Sequence, residues 1–137
     1  MKILRLFLGL GALAFSGCGH LDLTPEGDPD RVLAGTVNLR MPMDLPADAS
    51  VLVRVVDNSR ADAPQILGEQ TSARVTATPV PFRVEFRAED AVLRRGLNVE
   101  ARVSFGGSLR YYTANAVGVN FGNYDRPMVV VVDPAKR

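Results

Sequence analysis

The stretch Val80-Pro-Phe-Arg-Val-Glu-Phe-Arg, residues 80–87, alternates apolar and polar side chains without interruption. A period of two places alternate side chains on opposite faces of a β-strand. The face that meets a core carries Val80, Phe82, Val84 and Phe86, and the face that meets water carries Pro81, Arg83, Glu85 and Arg87. Slipping the strand by one residue would bury the charges, so the pattern also fixes which face points inward.

The same alternation recurs on both sides of this stretch. It is equally clean in 97–105, where the inward set is Leu97, Val99, Ala101, Val103 and Phe105. In the first predicted strand, the apolar positions are Leu33, Val37, Leu39 and Met41. Further strands are predicted at 51–57, 65–75, 109–113 with a continuation through 117–119, and 128–132. The last of these is apolar on both faces, which is typical of a central strand.

One segment has helical character. It runs from Ala88 to Arg95, with acidic residues in its first turn, arginines in its last turn and Gly96 as a stop. About seven short antiparallel strands separated by turn residues therefore predict an all-β fold, a small β-sandwich with one short helix, over residues 31–137. An open barrel is the alternative.

The first seventeen residues have a different character. Lys2 and Arg5 precede an apolar run from Leu6 to Phe15, and the small residues Ser16 and Gly17 follow. A transmembrane helix needs about 20 apolar residues, so this shorter run predicts a signal peptide over residues 1–17. Residues 18–30 then contain proline, glycine and four acidic side chains, which predicts a flexible tether.

Charge and composition make several kinds of function improbable. Without residues 1–17 the chain holds 14 basic and 15 acidic side chains, so no strong field for a nucleic acid remains. The only histidine, His20, falls in the predicted tether, where nothing would hold it for catalysis. With Cys18 it supplies two metal ligands at most, whereas structural zinc needs four. We therefore expect no catalytic site, no metal, no cofactor and no small-molecule substrate.

Two further sets of residues carry weaker chemical signals. A carboxylate pair among Asp57, Asp62, Glu85 and Glu100 could in principle do acid–base work, but carboxylates beside outward arginines are more often solvated ion pairs. The Gly106-Gly107 pair lies between two predicted strands, where a tight hairpin turn explains it better than a phosphate-binding loop.

The position of Cys18 carries the clearest chemical signal. A basic start, a short apolar run and Ser16-Gly17 before the cysteine resemble the lipobox of bacterial lipoproteins, with Phe15 where leucine is usual. The resemblance implies a diacylglycerol thioether on Cys18, which becomes the first residue after cleavage and gains a further acyl chain. Stable anchoring takes two chains or more. Gly19 implies, by the same resemblance, sorting to the outer membrane. Cleavage after Ala14 instead would leave a free thiol, and an intermolecular disulfide also stays open.

The folded region resembles the YscW/YbaY lipoprotein family from about Leu33 to Val132. Its landmarks, in order, are Gly35-Thr-Val37, Leu45-Pro-Ala-Asp-Ala49, Asp57 with Ser59-Arg-Ala-Asp-Ala-Pro64, Pro81-Phe82, Ala101-Arg-Val103 and Gly107-Ser-Leu109. The likeness is greatest to the branch of secretin pilots. It implies a β-sandwich lipoprotein on the periplasmic face of the outer membrane. Such a protein binds a segment near the C-terminus of a secretin subunit. It promotes the targeting and assembly of that secretin in type III secretion and catalyses no reaction. The other branch implies a general envelope lipoprotein that binds small ligands or stabilises the envelope.

Four aromatic residues in the last third are the candidate partner-binding residues: Tyr111, Tyr112, Phe121 and Tyr124. They surround irregular segments, where they could line a groove for an apolar partner segment. Ordinary packing within the fold is the alternative explanation. The outward charges Arg83, Arg87, Arg102, Glu85 and Glu100 form a second candidate surface, with a solvated sheet face as its alternative.

Overall fold

The computed structural model describes residues 30–60 and 62–136. Its elements are β1 (Arg31–Leu39), β2 (Ser50–Asp57), β3 (Gln65–Ala73), β4 (Val80–Phe86), α1 (Asp90–Arg95), β5 (Leu97–Phe105), β6 (Ser108–Tyr112), β7 (Val117–Val119) and β8 (Met128–Pro134). The predicted all-β fold with one short helix is confirmed. The predicted signal peptide, Cys18, His20 and almost all of the predicted tether lie outside the described residues.

The strands follow the hydrogen-bonded order β3-β2-β5-β6-β8-β1-β4, and β7 pairs with the first part of β5. All pairs are antiparallel except β1 with β8, which are parallel. Two layers result, β4-β1-β8 and β3-β2-β5-β6, joined where Tyr111 pairs with Pro134 and Tyr112 with Asp133. The central position predicted for β8 is confirmed. The parallel pair was not expected, because alternation reveals a strand but not its neighbour.

The two ends of this sheet approach each other along β3 and β4. A Cβ at Gly68 would overlap the carbonyl oxygen of Glu85 and lie 2.9 Å from the Cβ of Phe86, so the strands come this close only with glycine there. The backbone N–H of Arg83 donates a hydrogen bond to Oε1 of Gln70 (2.7 Å), which gives an edge amide of β4 a partner. The sandwich is therefore also a nearly closed barrel.

The core lies between the layers and follows the predicted alternation. In β4 the residues Val80, Phe82, Val84 and Phe86 are buried, and the residues between them are exposed. In β5 the inward set is buried up to Val103, and Phe105 is half-buried. Burial of one large apolar side chain contributes about 1.5–3 kcal/mol, so these two strands make a large part of the stabilising apolar contact. In α1 only Leu93 is buried, so the helix covers one end of the barrel.

The barrel has two ends, and we name them by what they carry. The helix end holds α1, the start of β1 at Arg31 and the end of β2 at Asp57. The far end holds the chain after Leu39, the Gly106-Gly107 turn and the end of β8. Both glycines have positive φ (62° and 74°), as the predicted tight hairpin requires. Nine residues of β1 separate the two ends by about 30 Å.

Candidate functional site

The four aromatic candidates lie at opposite ends of the barrel. Tyr111 pairs with Val103 near the far end, whereas Phe121 and Tyr124 follow β7, whose Val119 pairs with Leu97 at the helix end. These two pairing positions are six residues apart along β5, a distance of about 20 Å. The structure thus forms two separate surfaces from these residues, not one groove.

At the helix end, Phe121 and Tyr124 hold the start of β1. Their ring centroids are 6.2 Å apart, and the guanidinium of Arg31 lies 5.0 Å from the Tyr124 centroid and 5.9 Å from that of Phe121. The Nε–H of Arg31 also donates to the carbonyl oxygen of Ala88 (2.9 Å), and its head group pairs with Asp90. Because these contacts join β1 to α1 and to the β7–β8 loop, this pair of rings has a structural task.

Asp57 is the one buried charged residue among those described, with 7% of its surface exposed. Its carboxylate accepts hydrogen bonds from the backbone N–H of Ser59 (2.9 Å) and from Arg95 (3.1 Å). The Ser59 N–H, as the largest influence, and the Arg95 side chain hold the pKa of Asp57 below its ordinary value, while burial opposes them. This arrangement closes the β2–β3 turn with a carboxylate that is ionised at neutral pH.

Asp57 also borders two neighbouring cavities at the helix end, of about 420 and 380 Å³. Both are lined by Asp57, Gln65 and Val92, and the larger one is also lined by Ile66, Leu67, Arg87, Ala88 and Glu89. Their charged lining is mixed in sign, with aspartate and glutamate beside arginine.

The lowered pKa of Asp57 makes stability depend on pH. Its contribution is complete above the ordinary pKa of 3.8 and is lost as the pH falls through the lower folded-state pKa. We expect Asp57→Asn to cost about 1–2 kcal/mol at pH 7, since the amide cannot replace a charged acceptor for Arg95. Its stability should then fall less steeply than that of the wild type below about pH 4. Urea unfolding at several pH values measures both effects.

The control for this prediction is Asp125→Asn, because Asp125 is exposed in the β7–β8 loop. That variant should keep the wild-type stability and pH profile. If the free energy of unfolding falls equally steeply with decreasing pH in Asp57→Asn and in the wild type, the role assigned to the Asp57 carboxylate is contradicted. Asp133 contributes to the same loss of stability at acidic pH, because a hydrogen bond from Arg40 lowers the pKa of the Asp133 carboxyl as well.

The outward charges of β4 and β5 do not form one stripe. Strands β3 and β2 lie between β4 and β5 on the side where the barrel closes. On β4, Arg83 pairs with Glu85 at 3.7 Å, and both side chains are 60% exposed. Exposed pairs of this kind contribute about 0–1 kcal/mol, so this surface is a solvated sheet face.

At the far end, Tyr111 lines an open apolar groove of about 310 Å³ that we call the methionine groove. Its lining residues are Arg40, Met41, Pro42, Met43, Tyr111 and Pro134. The hydroxyl of Tyr111 donates a hydrogen bond to the sulfur of Met43 (2.8 Å). Met41 is 80% exposed and Met43 is 50% exposed, so the groove presents two methionines to solvent.

A second cavity, of about 460 Å³, adjoins the first and shares Tyr111 and Pro134 with it. The cavity, here called the basic cavity, is also lined by Phe105, Ser108, Leu109, Arg110, Ala135 and Lys136. The rings of Phe105 and Tyr111 are 6.5 Å apart, and the guanidinium of Arg110 lies 5.1 Å from the Phe105 centroid. Tyr112 lines neither cavity.

Sequence reasoning missed the methionines of this surface. Met41 was assigned to the inward residues of β1 by alternation, and this is wrong, because β1 ends at Leu39 and Met41 is exposed. The available signal was the run Met41-Pro-Met43. Proline cannot donate to a β-ladder, so it ends the strand and leaves apolar side chains in a connecting segment.

Residues 30–60 and 62–136 hold neither a group of metal-binding side chains nor a membrane-spanning helix. Within these ranges, no three His, Cys, Asp or Glu side chains come together as a group that could hold a metal ion. No helix in the same part of the chain has the length and apolar character needed to cross a membrane.

Comparisons with known proteins agree with this architecture. The sequence profile of a family described as type III secretion system lipoprotein chaperone (YscW) matches residues 28–131. Among solved structures, an alternative pilotin from the type II secretion system of Vibrio cholerae is similar, with a TM-score of 0.66 and 22% identity. The similarity covers 78% of this chain and 98% of that one, and it shows a shared fold. No curated protein sequence matches significantly.

Proposed function

The chain belongs to the YscW family of type III secretion system lipoprotein chaperones, and from this premise we propose that it is the pilot of a secretin subunit. In this role the protein binds a segment near the C-terminus of the secretin subunit. It accompanies the subunit to the outer membrane and promotes assembly of the secretion ring. The task is one of binding and positioning, with no chemical step.

One observation carries this proposal: the family match extends over residues 28–131, from just before β1 into β8. The match covers β1 to β7 and the first part of β8, so it takes in most of the barrel. The fold shared with a pilotin from another secretion system supports the same role.

The membrane attachment is the second part of the proposal. We infer that Cys18 carries the lipid, that the protein faces the periplasm and that residues 18–30 connect the lipid to β1. Thirteen extended residues reach at most about 45 Å. The barrel then stays close to the outer membrane but is not held flat against it.

Co-purification with the secretin tests the proposal. We expect the lipidated full-length protein to retain the C-terminal segment of the type III secretin from the same bacterium, with an internal secretin segment as the negative control. Deleting the gene should also lower the amount of assembled secretin ring in the outer membrane. A protein that retains neither segment, with ring assembly unchanged in the deletion strain, would refute the pilot role and favour a general envelope function.

A further inference from the structure

The far end of the barrel exposes apolar surface that the fold itself does not use. Met41, Met43 and Leu109 are exposed by 80%, 50% and 43% of their surface, and they border the methionine groove and the basic cavity. Exposed apolar side chains that stand together around a groove usually mark an interaction site. Methionine suits this use because its unbranched, polarizable side chain adapts to a partner's shape.

The charged side chains that line the two cavities have one sign. The charged residues that line the two cavities are Arg40, Arg110 and Lys136, all of them cations. Arg40 is already paired with Asp133. For Arg110 and Lys136 no carboxylate partner is found among residues 30–60 and 62–136. A ligand that brought carboxylates would therefore meet two uncompensated cations beside the apolar groove.

The cavities at the helix end lack this character. Their lining includes the carboxylates of Asp57 and Glu89, and Asp57 is already bonded to Arg95. The helix end is also where residues 1–29 join the barrel, next to Arg31. The methionine groove lies about 30 Å away at the opposite end of β1. The groove is therefore at the end of β1 opposite to the one at which the preceding chain enters.

We propose that the methionine groove and the basic cavity together receive the secretin segment, and that this segment carries apolar side chains flanked by carboxylates. One or two apolar side chains enter the groove against Met43 and Tyr111, and a neighbouring aspartate or glutamate faces Arg110 or Lys136. This inference rests on the pilot function proposed above and assigns the chemistry of its partner.

Calorimetric titration with the C-terminal secretin segment tests the apolar half of the inference. We expect Met43→Asp to weaken binding at least about tenfold, because it puts an unpaired charge into the contact. Met41→Asp should act in the same direction. The matched control is Ile66→Asp, since Ile66 is 52% exposed and lines the rival cavity at the helix end. Circular dichroism verifies that each variant is folded, and the high exposure of both methionines makes folding insensitive to these changes.

The charged half is tested with the double variant Arg110→Gln and Lys136→Gln. We expect about fivefold to tenfold weaker binding at low salt and a smaller dependence on salt concentration. A secretin segment whose Asp and Glu residues are replaced by Asn and Gln should bind the wild type with the same loss. Changing both partners together should cost little more than changing one, because the same contacts are removed.

The outcomes separate the two proposals. If the wild type binds the secretin segment and Met43→Asp binds it equally well, this surface assignment is overturned while the pilot function stands. The same holds if Ile66→Asp abolishes the binding instead. Unchanged binding by the Arg110 and Lys136 variant would remove the carboxylate requirement. A wild type that does not bind the secretin segment at all would overturn both the pilot function and the surface assigned to it.

Discussion

Gly35→Ala is expected to destabilise the barrel by about 3 kcal/mol or more. Gly35 pairs with Met128 in the parallel β1–β8 ladder. A Cβ at residue 35 would overlap the carbonyl oxygen of Met128 and lie 2.9 Å from both its carbonyl carbon and its backbone nitrogen. Backbone atoms cannot swing aside as a flexible side chain can. The two strands must separate, and the ladder that links the first and last strands is weakened.

Thermal unfolding followed by circular dichroism measures this effect. For a domain of about 100 residues, 3 kcal/mol corresponds to a fall in Tm of roughly 10–20 °C. The matched control is Gly118→Ala in β7, where an added Cβ meets no atom within 4 Å. That substitution should change stability by less than about 1 kcal/mol. Equal Tm values for the two variants would show that the β1–β8 contact tolerates a side chain.

Cys18→Ser is expected to abolish lipid attachment and to release the protein from the outer membrane. Serine offers no thiol for the thioether, and each buried methylene of an acyl chain contributes about 0.8 kcal/mol to membrane binding. The variant should incorporate no radioactive fatty acid and should leave the membrane fraction. If the pilot function holds, the secretin is then no longer delivered to the outer membrane, and assembled rings are lost there.

His20→Ala is the matched control for this experiment, because it changes a polar residue two positions away and leaves the thiol in place. It should label and fractionate as the wild type does. Cys18→Ser should also keep the wild-type Tm, since the barrel begins only at Arg31. A wild-type protein without label, or a Cys18→Ser variant that still sediments with membranes, would contradict the lipid anchor.

Much of the fold could be predicted from the sequence because each strand carries its own signal. Alternation identified β4 and β5 with the correct inward faces, and the acidic start and Gly96 stop identified α1. Strand partners could not be predicted in this way. The pairing of β1 with β8, and the approach of β3 to β4 at Gly68, depend on contacts between distant residues that no local period encodes.

The candidate site could be predicted only in part, for a related reason. Tyr111 was named as a candidate and does line the methionine groove, but it was grouped with Phe121 and Tyr124, which lie at the other end of the barrel. Proximity in sequence was misleading because β5 and its partners cross the length of the molecule. Met41 was misassigned because its strand ends two residues earlier than the alternation does.

The β1–β8 ladder also determines when, during synthesis and export, the barrel can complete its folding. It joins Gly35 to Met128, so the continuous sheet is completed by pairing residues from near the two ends of the described chain. Contacts of such long range form late, and a chain that emerges N-terminus first cannot make them until its last strand is free. Pro134 and Lys136, which line the far-end cavities, emerge later still. The proposed partner surface therefore forms only after the whole chain has emerged, and a molecule truncated before Pro134 would lack part of its lining.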